Sequence, residues 1–263
     1  LKMRLFIKIA ASLYLIACIV LYILQDSFIF NPEKLPEDYS FRMGQELEIP
    51  LDDVYSMNTL YVDSGPEKPK GVILYLHGNR GSIRFGIYQI RTMRELGYDI
   101  MIPDYRSYGK TEGSIQSEEQ LFNDVQKAYD HLKTRFNENE IILVGYSLGT
   151  GMASYLASHN KPKTLVLVAP FTSITDIKNK YLWFFPDFLL KFKLPVNEFM
   201  NNIECPVTIV HGTRDKIVDY RFSEEMKNRF GDKITLIRAE RESHRSIIFS
   251  SELSMALEQL LLS

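Results

Sequence analysis

Cysteine is nearly absent from the chain: Cys18 and Cys205 are the only two in 263 residues. Cys18 falls in an apolar leader and Cys205 in the body, which excludes an intradomain disulfide and leaves no zinc-ligand spacing. Charge of one sign is not in excess either, with 31 basic against 33 acidic residues and a formal net charge of -2. That balance lacks the basic footprint of a nucleic-acid binder. No internal repeat or low-complexity tract is present. Nothing in the residue pattern asks for a metal or an organic cofactor. The length is enough for one large α/β domain with a substantial core.

The N-terminus breaks this even composition. Residues 5–24 are apolar apart from Lys8 and Ser12, close to the ~20 residues that cross a bilayer as a helix. Lys2, Arg4 and Lys8 stand at its front, whereas Asp26, Glu33, Glu37 and Asp38 follow it. The positive-inside rule then places the N-terminus in the cytoplasm and the body on the far side of a membrane, as a single-pass protein. A processed leader is the rival reading, because Leu15-Ile16-Ala17-Cys18 is similar to a lipoprotein cleavage site. The run stays apolar past the cysteine, which favours an anchor, and it is apolar on all sides, which disfavours an amphipathic core helix. The expected organisation is an anchor over 1–25, a linker over 26–44 containing Asn31-Pro32, and a domain over 45–263.

Within the body, two antiparallel strands are expected near 46–49 and 55–62, joined by a turn at Leu51-Asp52-Asp53. Short, almost wholly apolar runs recur at 71–76, 98–102, 141–144, 164–168, 207–210 and 234–237, as strands covered on both faces require. Helix-period segments separate most of them, near 83–96, 118–136, 222–230 and 253–262. In the clearest, Leu121, Val125, Tyr129, Leu132 and Phe136 repeat at spacings of three and four. Strand and helix alternating in this way predict a mainly parallel sheet, eight strands in all, with helices on both faces. In such sheets reactive groups collect beyond the carboxyl ends of the strands.

One of those ends carries Gly145-Tyr146-Ser147-Leu148-Gly149, between the apolar run Ile141-Ile142-Leu143-Val144 and a helix-compatible stretch from Met152. A G-x-S-x-G segment between strand and helix is the signature of a nucleophilic serine on a strained turn, its glycines admitting strand and helix close together. The plainer alternative is a glycine-rich turn with Ser147 as an N-cap. Other strand ends carry His77-Gly78-Asn79, Asp104-Tyr105-Arg106, His211-Gly212-Thr213-Arg214-Asp215 and, last, His244. The order Ser147, Asp215, His244 is the chain order of one class of catalytic triad. Asp219 and Asp176 are the reserve candidates for the acid. His77 and His211 are read as structural, His131 and His159 as solvated, and Asp104 as a loop-fixing partner.

These segments, together with Gly109-Lys110-Thr111-Glu112-Gly113 and Ala169-Pro170-Phe171-Thr172-Ser173, resemble in order the motifs of the α/β-hydrolase superfamily, over roughly residues 45 to 260. More narrowly they resemble its membrane-anchored members with a short lid. Ser107, Thr150 and Ser243 depart from the group, standing where it commonly has glycine. The resemblance implies the α/β-hydrolase fold and a serine hydrolase in which His244 takes the Ser147 proton and Asp215 orients the imidazole. Backbone N–H groups of Asn79 and Leu148 are the expected oxyanion donors.

A long excursion, residues 171–203, is the expected lid. Its aromatic stretch includes Trp183 and Phe184, and with Phe171 these are the candidate substrate-pocket residues; Lys191 and Lys193 are expected to face lipid headgroups. The alternative is a helix pair whose aromatics simply pack on the domain. The expected substrate is an acylated or lipid-like ester or thioester. Peptidase or acyltransferase chemistry on the same fold, or a non-catalytic membrane-anchored binding protein, are the alternatives. Oligomeric state, acyl length and headgroup are not legible.

Overall fold

The computed structural model describes residues 2–262. Its sheet has eight strands: β1 (Gln45–Pro50), β2 (Ser56–Val62), β3 (Val72–Leu76), β4 (Asp99–Pro103), β5 (Ile141–Tyr146), β6 (Thr164–Val168), β7 (Val207–Gly212) and β8 (Ile234–Ala239). Their spatial order is β1-β2-β4-β3-β5-β6-β7-β8. Strand β2 runs antiparallel to both β1 and β4, and all other pairs are parallel. The expected mainly parallel sheet is present. Strands β3 to β7 are buried along their whole length, whereas the edge strands β1 and β8 are partly exposed. That is why the central runs carry no polar alternation.

Among the described residues eight α-helices accompany the sheet: α1 (Lys2–Ile29), α2 (Ile83–Gln89), α3 (Glu118–Lys133), α4 (Gly149–His159), α5 (Ile174–Tyr181), α6 (Val196–Phe199), α7 (Arg221–Phe230) and α8 (Ser251–Leu262). The period-two pleat of β3 divides the core. Val72, Leu74 and Leu76 pack with Leu121 and Val125 of α3 and Met152 of α4. Ile73 and Tyr75 pack on the other face with Ile83 of α2 and Leu253 and Leu257 of α8. Helix α3 starts where its sequence says: Ser117 Oγ accepts the Gln120 N–H at 3.1 Å, and two glutamates occupy the first turn.

The helix expected over 83–96 is shorter. It ends at Gln89, whose amide oxygen accepts the Tyr75 hydroxyl at 2.8 Å, and continues as 3₁₀ turns Ile90–Thr92 and Arg94–Leu96. Three residues per turn stack Ile90, Met93 and Leu96 on one buried face. Apolar spacing of three reads as an α-helix but is satisfied better by the tighter winding.

Helix α1 continues to Ile29, and the segment after it is laid against the body. Asn31–Pro32 pairs in parallel with Arg80–Gly81, and the Glu33 N–H donates to Gly81 O at 2.8 Å. Phe30 meets Phe192 edge-on with ring centroids 4.9 Å apart.

The loop after β4 is fixed by charge. The Arg106 side chain, only 4% exposed, donates from Nε to Asp124 Oδ2 at 2.7 Å and from Nη2 to Asp52 Oδ2 at 2.8 Å. Removing one partner of such a buried pair leaves an uncompensated charge. Asp124→Leu is expected to lower unfolding free energy by about 3 kcal/mol, read as a fall in the urea midpoint; an unchanged midpoint would show that Asp52 and solvent suffice.

Candidate active site

Strand β5 delivers Ser147 into a left-handed turn, φ +52°, a conformation that costs a non-glycine residue energy and persists only when its surroundings enforce it. The Ser147 N–H donates to Val168 O at 2.9 Å. Its carbonyl accepts both the Thr150 N–H, at 2.9 Å, and the Thr150 hydroxyl, at 2.6 Å. The threonine that replaces a customary glycine thus ties the turn down. The flanking glycines are needed for space. A Cβ on Gly149 would lie 2.0 Å from Leu76 O, and one on Gly145 2.8 Å from the Ala153 Cβ.

Three side chains named from the sequence meet here. His244 Nε2 lies 2.9 Å from Ser147 Oγ, and His244 Nδ1 lies 2.6 Å from Asp215 Oδ2. Asp215 Oδ1 accepts the N–H groups of Ile217 and Val218, each at 2.8 Å. Burial by itself would raise the Asp215 carboxyl pKa. Hydrogen bonds from His211 and His244, the His244 charge and the Val218 N–H outweigh it and hold the group well below the usual carboxylate range. The acid therefore stays ionised through the neutral range and can stabilise an imidazolium. The reserve acids lie elsewhere: Asp176 Oδ2 accepts the hydroxyls of Thr172 and Ser173, and Asp219 pairs with Lys180 and Arg221.

His211 does more than end a strand. Its Nε2 lies 3.2 Å from Asp215 Oδ2, and its Nδ1 lies 2.6 Å from Ser223 Oγ, with the ring fully buried. Asp215 Oδ2 is thus shared between two imidazoles. The sequence hints at this only through the four-residue spacing of His211 and Asp215.

The loop after β3 faces Ser147. His77 Nδ1 lies 2.8 Å from Gly78 O. In a trans peptide the Asn79 N–H then points the opposite way. The Asn79 carbonyl is held by the Asn31 N–H at 2.9 Å and the Tyr108 hydroxyl at 2.7 Å. Behind this loop His77 Nε2 lies 3.3 Å from Asp104 Oδ1, both side chains buried. Burial raises the Asp104 carboxyl pKa, and His77 opposes the shift. Asp104 Oδ1 also accepts the Ile83 N–H at 2.8 Å. Leu148 stands at the N-terminus of α4, where helix geometry leaves N–H groups without intrahelical acceptors.

Ser147, Leu148 and Asn79 open onto an apolar cavity of about 300 Å³. Phe171 lines it, with Ile174, Ile177 and Phe185 of the excursion after β6. Trp183 and Phe184 do not line it; their side chains point outward, 78% and 39% exposed. Aromatic composition marked the lid but not its inner face, because the short α5 and the turn Asp187–Leu189 carry no sustained period. Lys191 is also not free for headgroups: it pairs with Asp26 at 3.0 Å and lies over the Tyr22 ring. Lys193 is exposed. The opposite wall was not anticipated. Leu21, Gln25, Phe28 and Ile29 of α1 complete the cavity.

A family model described as "Serine aminopeptidase, S33" matches residues 67–198, half of the chain. The chain belongs to this α/β-hydrolase family. The family match contains Asn79, Ser147 and most of the excursion after β6 but ends before Asp215 and His244, which are joined to the serine by the hydrogen bonds above. Among curated proteins the chain is similar to "Lysophosphatidylserine lipase ABHD12" of Danio rerio, 33% identical over 177 residues, covering 59% of this chain and 46% of that protein. The same-named protein of Rattus norvegicus is 31% identical over 179 residues, covering 60% and 44%. The chain thus spans less than half the length of these relatives. Among solved structures, an esterase of Pyrococcus furiosus superposes with a TM-score of 0.69 at 20% identity, covering 89% of this chain and 97% of that one. A lidless α/β serine hydrolase of Xanthomonas campestris gives 0.62 at 19% identity, covering 86% and 97%. Both likenesses establish the fold.

A hydrogen bond to a charged group contributes about 1.5–3 kcal/mol. His211→Leu should accordingly slow labelling of Ser147 by a fluorophosphonate about ten- to a hundredfold, with the fold intact by circular dichroism. A rate within twofold of wild type would reduce His211 to packing.

Proposed function

We propose that this chain is a serine hydrolase that cleaves carboxylic ester or thioester bonds of acylated, lipid-like substrates beside a membrane. One observation carries the reading: a serine oxygen 2.9 Å from an imidazole nitrogen that is itself backed by a buried carboxylate, at the mouth of an apolar cavity. In the first half-reaction His244 takes the Ser147 proton as the oxygen attacks the acyl carbonyl. The tetrahedral oxyanion is stabilised by the N–H groups of Asn79 and Leu148. Collapse expels the alcohol or thiol, which leaves with the proton from His244. Water, deprotonated by His244, then attacks the acyl-enzyme, and the acid is released as Ser147 recovers its proton.

The cavity favours an acyl chain over a peptide. Lys178 is the only charged residue among those described that line it, so no carboxylate is offered to the ammonium of an aminopeptidase substrate. The names of the curated relatives support a lysophospholipid-like ester in particular.

Helix α1 is long and apolar enough to cross a membrane, with mean hydropathy 2.4 over its most apolar window. We place its basic start in the cytoplasm and the catalytic body on the other side, by the charge asymmetry of its flanks. The outward aromatics Trp183, Phe184 and Phe188 then form a lip set into the facing leaflet.

The full chain should react with a fluorophosphonate probe, and Ser147→Ala should abolish the adduct. Asp215→Asn is expected to reduce ester turnover by about 10⁴-fold, as in comparable triads. No adduct on a folded wild-type chain would sink the hydrolase reading in favour of a binding protein. Charging the lip by Trp183→Glu should lower the ratio of long-chain to short-chain ester turnover on vesicles. An equal loss at all lengths would mean destabilisation rather than lost membrane contact.

A further inference from the structure

We infer that the C-terminal part of α1 is a wall of the acyl-binding site, so that the helix which anchors the protein also sets its chain-length preference. The inference rests on the hydrolase reading above and assigns to α1 a part that anchoring does not require.

The docking is specific and one-sided. Residues 2–16 of α1 are exposed all round, as a lipid-embedded helix in the absence of lipid should be. From Tyr14 on, one stripe at spacings of four and three touches the lid: Tyr14, Cys18, Leu21 and Gln25. The Tyr14 hydroxyl donates to Phe184 O at 2.9 Å. Cys18 and Leu21 pack with Leu182, Phe185, Leu189 and Leu190. Gln25, 5% exposed, is satisfied in both directions by lid backbone: its Nε2 donates to Leu189 O at 3.0 Å, and its Oε1 accepts the Lys191 N–H at 2.8 Å. A buried amide without partners is costly, so this double bond fixes the register of helix against lid. The Asp26–Lys191 pair adds to it one residue on.

The same face continues into the cavity. Leu21, Gln25, Phe28 and Ile29 follow at i, i+4, i+7 and i+8, one side of a helix, and all four line the space that contains Ser147. Phe28 is 67% exposed while lining it, so the cavity has an apolar rim on the α1 side. Helix α1 has 28 residues, about 42 Å at 1.5 Å per residue, against about 30 Å of hydrocarbon. Its last two turns therefore stand where acyl chains meet headgroups, level with the reactive serine's cavity. At about 300 Å³ the space is at the small end of ligand pockets and suits one acyl chain. That chain is the occupant: it leaves the bilayer past the exposed apolar rim at Phe28.

The test is a chain-length series of p-nitrophenyl esters on the full chain in nanodiscs. Leu21→Trp fills the cavity and should lower the ratio of kcat/KM for dodecanoyl over butanoyl esters at least tenfold. Leu21→Ala enlarges it and should move the optimum to longer chains. Ile23→Trp, at the same height but facing away from the lid and 63% exposed, should leave the ratio unaltered. If both Leu21 variants keep the wild-type ratio, or Ile23→Trp changes it equally, the wall assignment is overturned while the hydrolase reading stands. A uniform loss in Leu21→Trp without a shift in Leu21→Ala overturns it too. Absence of both hydrolysis and fluorophosphonate labelling in the wild-type chain overturns the hydrolase reading and this inference with it.

Discussion

The close approach of α4 to the end of β3 is the constraint on which the site depends. Gly149 sits so near Leu76 that any side chain would displace the strand end. That contact brings the first N–H groups of α4 beside the loop of His77, Gly78 and Asn79, and it forces Ser147 into its left-handed turn. The strain is not absorbed by the serine alone. Thr150 returns two hydrogen bonds to the Ser147 carbonyl, and β6 supplies an acceptor for its N–H. Ser147 is held in a costly backbone conformation because the end of β3, α4 and β6 each fix one part of it.

Around this turn the polar groups are arranged in pairs that fix one another. His244 is oriented by Asp215, and Asp215 is oriented by His211 and two backbone N–H groups. On the other flank Asp104 and His77 stand behind the loop of Gly78 and Asn79. Each arrangement places a carboxylate out of water beside an imidazole, but with opposite results. Hydrogen bonds win at Asp215 and lower its pKa, whereas desolvation wins at Asp104 and raises it. The first is fit to stabilise a cation formed during a reaction, the second to hold a loop.

Much of this was legible in the sequence. Strands β3 to β7 are largely apolar because both faces are covered, so their ends, and the residues just beyond them, are readable one by one. Ser147 follows from its motif, and Asp215 and His244 from their order beyond strand ends; His244 lies within hydrogen-bond reach of both others. Less legible was whatever depends on which way a short segment turns. Trp183 and Phe184 face outward and Phe185 inward, a difference of one residue that no period in so short a stretch records. The docking stripe of α1 was hidden for another reason: in an apolar helix the residues that touch protein and those that touch lipid have the same chemistry. Gln25, a polar residue at the end of the run, breaks that uniformity on the docking stripe, and its meaning depends on a partner more than 160 residues away.

The pairing of Asn31 with the Asn79 loop has a consequence for kinetics. One residue, Phe30, separates the end of α1 from the Asn31 hydrogen bond to the Asn79 carbonyl, too short a span for the body to swing freely on the helix. With α1 in a bilayer, as proposed, a body held at fixed height and tilt would sample a lipid substrate in two dimensions. Its turnover would then be governed by the mole fraction of substrate in the surrounding leaflet, and dilution with inert lipid would act on it as dilution with buffer acts on a soluble enzyme.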